Sequence, residues 1–386
     1  MVSIDRSAGE AWFSGRDALR WASTTGVHQP RPEEVSGVGD ETSVAAALRE
    51  VERGRYLIYR GHYANALQLL AAMRRRLSDG ARMGVPGHAP IDAYRHAREA
   101  KRREHDLLCR LVVLLNGAAY CPMLDGAPPL GDFGVQVWGP IDDRPLVVPL
   151  REWMGARGAR EWYRTGVEVP ALKARVHPHY GVFAPIRGEY VELVAEQADA
   201  VGMAGQSAFD IGTGTGVLAF VLAHRGAARV VATDADPRAV ACAQDNAVRL
   251  GLGAVVGVCR VPPHDPFPSG SADILVCNPP WVPAEAPTRF DRSVFDPAGR
   301  FLLRFVDGIS AHLRPGGQAW LVLSDFAEQL GLRPPEFAAR AARRAGLVIL
   351  GRRETRARHA RTFDRDDPLH PLRTRETIAL HVLGRP

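Results

Sequence analysis

The sequence contains almost no lysine. Lys101 and Lys173 are the only lysines among 49 basic residues, and the other basic residues are arginine. Against 43 acidic residues this leaves a formal net charge of +6 over 386 residues. A basic excess spread this thinly does not require a nucleic-acid partner, although it permits one.

Long apolar runs are also absent. The sequence has no stretch of about eighteen apolar residues, the length that a membrane-spanning helix needs. Its first residues, MVSIDRSAGE, lack the basic start and the apolar core of a signal peptide. We therefore expect a soluble, cytoplasmic protein without a membrane partner. The sequence does not define an oligomeric state.

Cysteines are few and have no metal-ligand spacing. Their number is odd, and we interpret them as reduced thiols that pack as small hydrophobic side chains. His177 and His179 lie close together, but no cysteine or carboxylate accompanies them at ligand spacing. We therefore expect no metal site. The cysteines are Cys109, Cys121, Cys242, Cys259 and Cys277.

The length and an apolar content of 46% indicate two domains with separate cores. Residues 1–43 are polar and rich in proline and glycine, which predicts an irregular N-terminal arm. Residues 44–165 predict a mainly helical accessory or substrate domain with a short β segment. Residues 166–386 predict an α/β domain.

Within the first domain, apolar residues recur at helical spacing from Ser43 to about Arg76, with a break near Gly61. A second helix is predicted over residues 91–115, and its second half, LLCRLVVLLN, has to be buried. FGVQVW and PLVVPL, between residues 131 and 150, predict short extended segments.

The second domain alternates between strand and helix patterns. Its predicted strands include SAFDIG, ARVVATD, AVVGVCR, ADILVCN and QAWLVLSD, with helical stretches such as PRAVACAQDNAVRLGL between them. This alternation predicts a doubly wound sheet of parallel strands joined by right-handed crossovers. LVILGRR and TIALHVLG close the chain without a long helix between them, so we expect them to form an antiparallel pair at one edge.

The first strand of this sheet leads into three glycines at alternate positions, Gly212, Gly214 and Gly216, in FDIGTGTGVLA. In a doubly wound sheet, the carboxyl ends of the strands open onto the crevice in which ligands bind. Glycines there let the backbone approach a ligand and turn sharply into the next helix. Val217 stands where a dinucleotide fingerprint continues, so the spacing favours a cofactor without a pyrophosphate.

Two carboxylates accompany the glycine loop. Asp210 ends the first strand beside the loop. Asp234 ends the second strand about twenty residues further on, where a carboxylate can accept hydrogen bonds from both hydroxyls of a ribose. Asp236 is the near alternative, although the adjacent Pro237 favours a role as helix N-cap.

DIGTGTG and the downstream TDADPRAVACAQDNA resemble the class I S-adenosylmethionine (SAM)-dependent methyltransferases. The resemblance covers about residues 175–386 and implies a Rossmann-like, seven-stranded catalytic domain that uses SAM. It implies that the glycine loop, with Thr213, lies under the methionyl part of SAM. It also implies that Asp210 lies near the amino group and Asp234 on the ribose. The adenine contact stays open, because a proline pair displaces Asp265 from the position that relatives use.

The fourth strand ends in Asn278-Pro279-Pro280-Trp281. The prolines end the strand abruptly and keep Asn278 extended. We expect the Asn278 side-chain oxygen and a freed main-chain carbonyl to accept both hydrogens of a planar NH2 group, with Trp281 stacked on its plane. This grip makes the nitrogen more nucleophilic as it pyramidalises. The alternative is a turn with a purely structural role.

This tetrapeptide resembles that of amino-methyltransferases acting on protein glutamine side chains, on exocyclic amines of adenine, or on ribosomal RNA. The upstream stretch HPHYGVFAPIRGE is similar to the segment that covers the cofactor in glutamine methyltransferases. That similarity implies that Phe183 packs on the cofactor and that Tyr180 or His179 faces the acceptor. Core packing for Phe183 and a surface loop for the histidines are the alternatives.

We therefore predict a SAM-dependent N-methyltransferase, and a protein glutamine is the best-matched acceptor. Two other enzymatic functions stay open. One is amino-methylation of a base in ribosomal or other RNA. The other is a small-molecule reaction, including cyclisation of SAM itself to azetidine-2-carboxylate with release of methylthioadenosine. The non-enzymatic alternative, a SAM-binding or RNA-binding module, fits poorly with an intact set of Asp210, Asp234 and Asn278.

Overall fold

The computed structural model describes residues 19–23, 30–81, 90–117, 119–141, 145–286, 291, 293–358, 362–365, 367 and 369–386. The chain divides into two compact units between Glu161 and Trp162, four residues before the predicted boundary. Most of the predicted N-terminal arm, residues 1–18 and 24–29, lies outside the described residues.

The first unit is an α/β unit with a sheet of its own. Its strands are β1 (Arg20–Trp21), β2 (Val35–Val38), β3 (Tyr56–Tyr59), β4 (Leu111–Asn116), β5 (Cys121–Pro122) and β6 (Leu146–Pro149). Its helices are α1 (Val44–Glu52), α2 (Tyr63–Ala81), α3 (Pro90–Leu108), α4 (Phe133–Trp138) and α5 (Leu150–Thr165), the last of which continues past the boundary. The strand order is β1-β6-β4-β3-β2, and β5 pairs with β4.

Helices α1 to α5 make up most of residues 44–165, as predicted, but the prediction of a single short β segment is wrong, because these helices accompany a six-stranded sheet. β2, β3 and β4 run parallel to one another, with β2 at the edge and β3 and β4 inside the sheet, and β6 lies antiparallel beside β4. The predicted 91–115 helix ends at Leu108, and β4 begins three residues later at Leu111. Leu111, Val112 and Val113 are fully buried. A strand covered on both faces is apolar throughout and has no period of two, so it extends the preceding helical pattern without a visible break.

The prediction of a strand at FGVQVW is also wrong, because these residues form α4. Phe133 is buried, and a side chain at Gly134 would collide with the Tyr120 ring, 2.0 Å from the nearest ring carbon. Tight packing against Tyr120 therefore outweighs the alternating pattern. Gly139, with φ of +74°, ends the helix.

The predicted irregular arm also contributes to the sheet. β2 lies at one edge and pairs in parallel with β3, while β1 pairs in parallel with β6. Val35 and Val38 are buried. The described part of residues 1–43 is therefore integral to the first unit rather than a separate arm.

The second unit has the predicted doubly wound architecture. A small antiparallel pair, β7 (Val167–Val169) and β8 (Ala174–Val176), precedes the main sheet. The main strands are β9 (Ser207–Ile211), β10 (Arg229–Asp234), β11 (Val256–Arg260), β12 (Ala272–Cys277), β13 (Leu313–Ser324), β14 (Val348–Arg356) and β15 (Thr377–Gly384). The helices are α6 (Glu189–Val201), α7 (Val217–His224), α8 (Pro237–Arg249), α9 (Arg300–His312), α10 (Phe326–Gln329), α11 (Phe337–Arg344) and α12 (His370–Arg373).

The strand order of the main sheet is β11-β10-β9-β12-β13-β15-β14, with seven strands among the described residues. The five strands β9 to β13 run parallel to one another. β15 runs antiparallel to both β13 and β14, which confirms the antiparallel pair predicted for the last two strands. This is the Rossmann-like sheet that the sequence predicted.

Helices cover both faces of this sheet, so its central strands are buried on both sides. Successive residues of β12 show this alternation. Val276 packs into the apolar cluster that includes α6 and α7, and Leu275 and Cys277 pack into the cluster that includes α9 and α11. All three side chains are fully buried.

No helix in the described parts of the chain combines the length and the apolar composition needed to cross a bilayer.

Candidate active site

The candidate site lies where the direction of the sheet reverses. From β9 the chain moves to β10 and β11 on one side, and it later returns to place β12 and β13 on the other. In a doubly wound sheet the crevice for a ligand opens at such a switch point. Ile211, the last residue of β9, is paired with Thr233 in β10 and with Cys277 in β12. The residues that follow these three, Gly212, Asp234 and Asn278, therefore meet at one edge.

The three glycines of the loop serve different purposes. All have positive φ: +76° at Gly212, +56° at Gly214 and +90° at Gly216. A Cβ at Gly212 would touch the Phe301 ring at 3.0 Å, and one at Gly216 would collide with the Phe220 ring at 2.3 Å. A Cβ at Gly214 would meet no atom within 4 Å. The outer glycines thus allow close packing, whereas the middle one presents bare backbone to open space.

Asp210 is buried beneath the loop. One of its carboxylate oxygens, Oδ2, accepts hydrogen bonds from the Thr213 hydroxyl at 2.6 Å and from the Ala219 backbone N–H at 3.1 Å. Burial raises the pKa of Asp210 to about 7, although these two hydrogen bonds lower it. The carboxyl group therefore fixes the loop to the first turn of α7, and its charge is sensitive to a cation nearby.

Asp234 connects the end of β10 to the glycine loop. Its Oδ2 accepts from the Gly214 N–H at 3.0 Å and its Oδ1 from the Asp236 N–H at 2.9 Å. Burial raises its pKa. Asp236 caps α8 by accepting from the Arg238 N–H at 2.9 Å, which confirms the predicted capping role. Each oxygen of Asp234 keeps a lone pair for a further donor.

Asn278 and Trp281 contact each other directly. The Trp281 indole N–H donates to Asn278 Oδ1 at 2.9 Å. Of the two prolines between them, Pro279 is buried and Pro280 is half-buried. The prediction gave Asn278 Oδ1 one hydrogen of the acceptor NH2 group and did not foresee that this oxygen also accepts from Trp281. One lone pair of that oxygen is left to an acceptor N–H.

Two arginines hold Trp281 from different sides. The Arg187 guanidinium carbon lies over the indole ring, 4.8 Å from its centroid. Arg187 also donates to Glu376 Oε1 at 3.0 Å. Arg333, which is 4% exposed, donates to the Trp281 main-chain carbonyl at 2.9 Å, and burial lowers its pKa. Trp281 is therefore fixed at its ring face, its ring nitrogen and its backbone.

The segment after the tetrapeptide returns to the glycine loop. Val282 forms backbone hydrogen bonds with Val294 and Asp296. Asp296 then accepts from the backbone N–H groups of Phe301 and Leu302, at 3.0 and 3.1 Å, and so begins α9. Phe301 is the residue whose ring packs against Gly212. Direct packing therefore joins the two predicted motifs.

The HPHY segment, which we define as residues 177–187, is attached to α8. Asn246 is fully buried, and its carboxamide accepts from the His177 N–H at 2.7 Å and donates to the His177 carbonyl at 3.0 Å. The same amide nitrogen lies 3.4 Å from the Thr215 carbonyl in the glycine loop. His179 Nε2 lies 3.2 Å from an Asp245 oxygen, and burial lowers the pKa of His179. Position 179 is thus an anchor of the segment.

Tyr180 and Phe183 follow this anchor. Tyr180 is half-buried, and the Phe183 side chain is 36% exposed. The cofactor and acceptor roles given to these two residues stay predictions. Among the described residues, no group of three or more histidine, cysteine, aspartate or glutamate side chains is placed to hold a metal ion.

Sequence reasoning missed Arg333, Glu376 and Asn246 as parts of the site, and it placed Arg187 in the segment over the cofactor without its contacts to Trp281 and Glu376. Each acts through contacts between positions far apart in the chain, such as Arg187 with Glu376. Asn246 lies in the quoted stretch AQDNA, one helical turn after Cys242, and that spacing places it on the buried face of α8. A polar residue on an apolar face was the signal that could have found it.

Comparison with known families agrees with this geometry. Residues 174–332 match the methyltransferase small domain family. The matched region includes the glycine loop, Asp234 and the Asn-Pro-Pro-Trp tetrapeptide.

Curated relatives carry related descriptions. The release factor glutamine methyltransferase of Moorella thermoacetica is 33% identical over 192 residues, which cover 47% of this chain and 63% of that protein. The ribosomal protein L11 methyltransferase of Halorhodospira halophila is 34% identical over 136 residues, 35% of this chain and 43% of that protein. A putative protein N5-glutamine methyltransferase of Methanocaldococcus jannaschii is 26% identical, over 42% of this chain and 80% of that protein. The chain thus spans less than two thirds of the first two.

Among solved structures, the ribosomal protein L11 methylase of Lactobacillus delbrueckii subsp. bulgaricus is 19% identical, with a TM-score of 0.35, and covers 50% of this chain and 77% of that one. The strand order, the glycine loop at the switch point and the match over residues 174–332 agree with one another. The second unit of this chain therefore carries a match to the methyltransferase small domain family over residues 174–332, on a doubly wound sheet.

Proposed function

We propose that this protein transfers a methyl group from SAM to a planar, uncharged nitrogen held at Asn278. The observation that carries the proposal is the register of β9 with β12. Because Ile211 pairs with Cys277, the glycine loop and Asn278 leave neighbouring strands at the same edge of the sheet. A donor on the loop and an acceptor on Asn278 would then be close enough to react.

The residues present fit SAM. Gly214 has free space above its backbone, where a cofactor can approach without meeting a side chain. Asp234 retains acceptor capacity for a ribose diol, and the buried Asp210 provides a carboxyl group for an ammonium. SAM supplies an electrophilic methyl group on a sulfonium. The loop and the two aspartates bind it and orient it.

Asn278 acts on the acceptor. The free lone pair of its Oδ1 accepts one N–H of the acceptor nitrogen, which places the nitrogen lone pair toward the donor and stabilises the positive charge that develops during transfer. Pro279 and Pro280 hold the backbone and so fix the direction of that oxygen. Methyl transfer by direct displacement then depends mainly on alignment.

The best-supported acceptor is a glutamine side chain of a protein. Two of the relatives described above are named as glutamine methyltransferases, one acting on release factors. A primary amide is planar, neutral and carries two N–H groups, and these properties suit an amide oxygen as partner. The first unit, which lies outside the matched region, would then contribute to recognition of the acceptor protein.

The test is to follow both the donor and the acceptor. The full-length protein is incubated with SAM alone, and separately with SAM and a peptide that contains a single central glutamine. A matched peptide with asparagine in that position is the control. Mass spectrometry should show S-adenosylhomocysteine and a peptide heavier by one methyl group only with glutamine.

Two outcomes would overturn the proposal. Release of methylthioadenosine from SAM alone would mean that the carbon chain of SAM is attacked instead of its methyl group. Methylation of RNA from the same cells, with no methylation of glutamine in peptide or protein extract, would replace the protein acceptor by a nucleobase.

A further inference from the structure

The indole of Trp281 has a geometry that stacking alone does not require. A stacking platform needs only an aromatic face, and phenylalanine or tyrosine would supply one. Here the ring nitrogen of Trp281 donates to Asn278 Oδ1 at 2.9 Å. One face of the ring lies against the Arg187 guanidinium. While Arg187 occupies that face, an acceptor cannot stack there.

The hydrogen bond fixes which way the Asn278 carboxamide points. A carboxamide can rotate by about 180° and exchange its oxygen for its NH2 group with little change of shape. An indole N–H only donates, so it selects the orientation with Oδ1 toward Trp281 and Nδ2 away from it. In the opposite orientation the Asn278 NH2 group would face the N–H of the methyl acceptor. Both groups are hydrogen-bond donors, so no hydrogen bond could form between them.

The surroundings of Trp281 keep its indole in place. Arg187 is fixed by Glu376, which is 2% exposed and also accepts from the Ser324 hydroxyl at 2.7 Å. A cation over the ring withdraws electron density from it, which strengthens the indole N–H as a donor. On the other side, Arg333 holds the Trp281 carbonyl. The ring therefore has little freedom to leave Asn278.

We infer that Trp281 is a positioning residue, whose indole N–H holds the Asn278 amide oxygen in the orientation that receives the acceptor N–H. Arg187, seated on Glu376, holds the indole. The inference deepens the proposed function and rests on it, since Asn278 is the residue that contacts the acceptor. It predicts that tryptophan at position 281 does something that phenylalanine cannot.

A matched pair of variants separates this role from general packing. Trp281→Phe keeps an aromatic ring and removes the N–H. Trp320→Phe is the control, because the Trp320 indole also donates to a side-chain amide oxygen, Gln318 Oε1 at 3.0 Å, from a fully buried position in the same sheet. Gln318 lies in the amino-terminal half of β13, away from the carboxyl edge. Both variants lose one indole hydrogen bond.

The first measurement needs no acceptor. In the ¹⁵N-indole spectrum of the full chain, the Trp281 N–H should exchange with water about tenfold faster in Asn278→Ala than in the wild type, in line with the loss of one neutral hydrogen bond. The Trp320 signal should not change. Equal exchange rates for Trp281 in the two proteins would overturn the inference.

The second measurement uses SAM and the glutamine peptide. We expect Trp281→Phe to lower kcat about tenfold, while its affinity for SAM by calorimetry stays at the wild-type value. Trp320→Phe should lose thermal stability but keep kcat. In the Asn278→Ala background, Trp281→Phe should cause no further loss, because the residue acts through Asn278.

The results separate the two proposals. If Asn278→Ala abolishes turnover and Trp281→Phe leaves kcat unchanged, the positioning role is wrong and the proposed function stands. If Asn278→Ala keeps full turnover, the proposed function fails at its acceptor. A Trp281→Phe protein that loses SAM affinity and kcat together, as an unfolded site would, also contradicts the positioning role.

Discussion

The two units of this chain both contain a sheet of mainly parallel strands joined by helices, but the chain visits the strands in different orders. In the first sheet β2, β3 and β4 follow one another in a single direction, and the strand beyond β4 is antiparallel. In the second sheet the path leaves β9 in one direction and returns to its other side with β12. Among the described strands, those of the second sheet alone reverse their direction of progress across the sheet at a shared parallel neighbour, β9, which lies between β10 and β12.

The edges of the two sheets carry similar residues. Asp40 follows β2 and accepts from the His62 N–H, just as Asp234 at the end of β10 accepts from the Gly214 N–H. Asn116 ends β4, and Asn278 follows β12. Residue type at a strand end therefore does not by itself create a crevice. In a doubly wound sheet the strand order creates it, so we expect a ligand at the switch point of the second sheet.

The largest effect should come from Asn278, with Asn116 of the first sheet as its counterpart. Asn278→Ala removes the oxygen that holds the acceptor, and we expect turnover of the glutamine peptide to fall at least about a hundredfold, as for loss of a donor that stabilises a transition state. SAM affinity should stay within about twofold, because this residue contacts the acceptor. Steady-state kinetics and calorimetry measure both.

Asn116→Ala is the matched control, at an exposed position on the edge of the first sheet. It should change neither turnover nor SAM affinity. A loss of turnover similar to that of Asn278→Ala would contradict the contrast between the two sheets, because the edge of the first sheet would then also contribute to the reaction.

Asp234 and Asp40 should also differ, with a smaller effect, this time on SAM affinity. Asp234→Ala removes a charged acceptor from the ribose and releases Gly214, so we expect SAM affinity to fall by about ten- to a hundredfold. Turnover at saturating SAM should change little. Asp40→Ala loses its hydrogen bonds to Tyr59 and His62, which lowers stability but should leave SAM affinity unchanged. Calorimetric titration of both variants decides this.

The glycines allow a sharper test of the loop. Gly214→Ala places a methyl group in open space at a φ of +56°, and we expect a loss of about 1 kcal/mol in stability from backbone strain. SAM affinity should also fall about tenfold, because the methyl group occupies space that the cofactor needs.

Gly251→Ala has comparable strain, with a φ of +68° and no atom within 4 Å of the added carbon, but it lies outside the loop. Thermal unfolding should show similar losses for the two variants. Equal SAM affinities would contradict the assignment of the loop to the cofactor.

The smallest effect concerns pH. Because burial raises the pKa of Asp210 to about 7, the free protein holds a proton there at lower pH. A bound ammonium favours the carboxylate, so binding releases this proton and SAM affinity should rise with pH. We expect affinity at pH 7 to be about half of that at pH 8, with a steeper fall below pH 7. Titrations in buffers of different ionisation enthalpy measure the released proton, and Asp210→Asn should remove the difference.

Much of the second unit could be predicted from the sequence. Its strands are bounded by turns, its helices have clear periodicity, and the residues of the switch point stand next to strand ends. Asp210, Asp234 and Asn278 were therefore placed correctly at the edge of the sheet. The contacts of Trp281 could not be predicted, because Arg187 and Arg333 reach it from other parts of the chain and leave no local pattern. Glu376, which holds Arg187, is equally distant in the sequence.

The first unit was harder for a physical reason. Its strands are short, and β3, β6 and most of β4 are buried on both faces, so they have no period of two. Cys109 and Arg110 alone separate the helix α3 from the strand β4, and an apolar run next to a helix looks like its continuation. At α4 the alternation of FGVQVW indicated a strand, but packing of Gly134 on Tyr120 required a helix. In both cases tertiary contacts decided between structures that the local sequence allowed.

Asn246 joins the HPHY segment to the glycine loop through one side chain. Its single carboxamide grips His177 on the HPHY segment and reaches Thr215 on the glycine loop. Moving the segment away would leave the buried Asn246 amide without these hydrogen-bond partners, which costs about 1–3 kcal/mol. The HPHY segment is therefore fixed at both ends, at His177 by Asn246 and at Arg187 by Glu376. A displacement of this segment would cost least around the exposed Phe183, which lies between the two anchors.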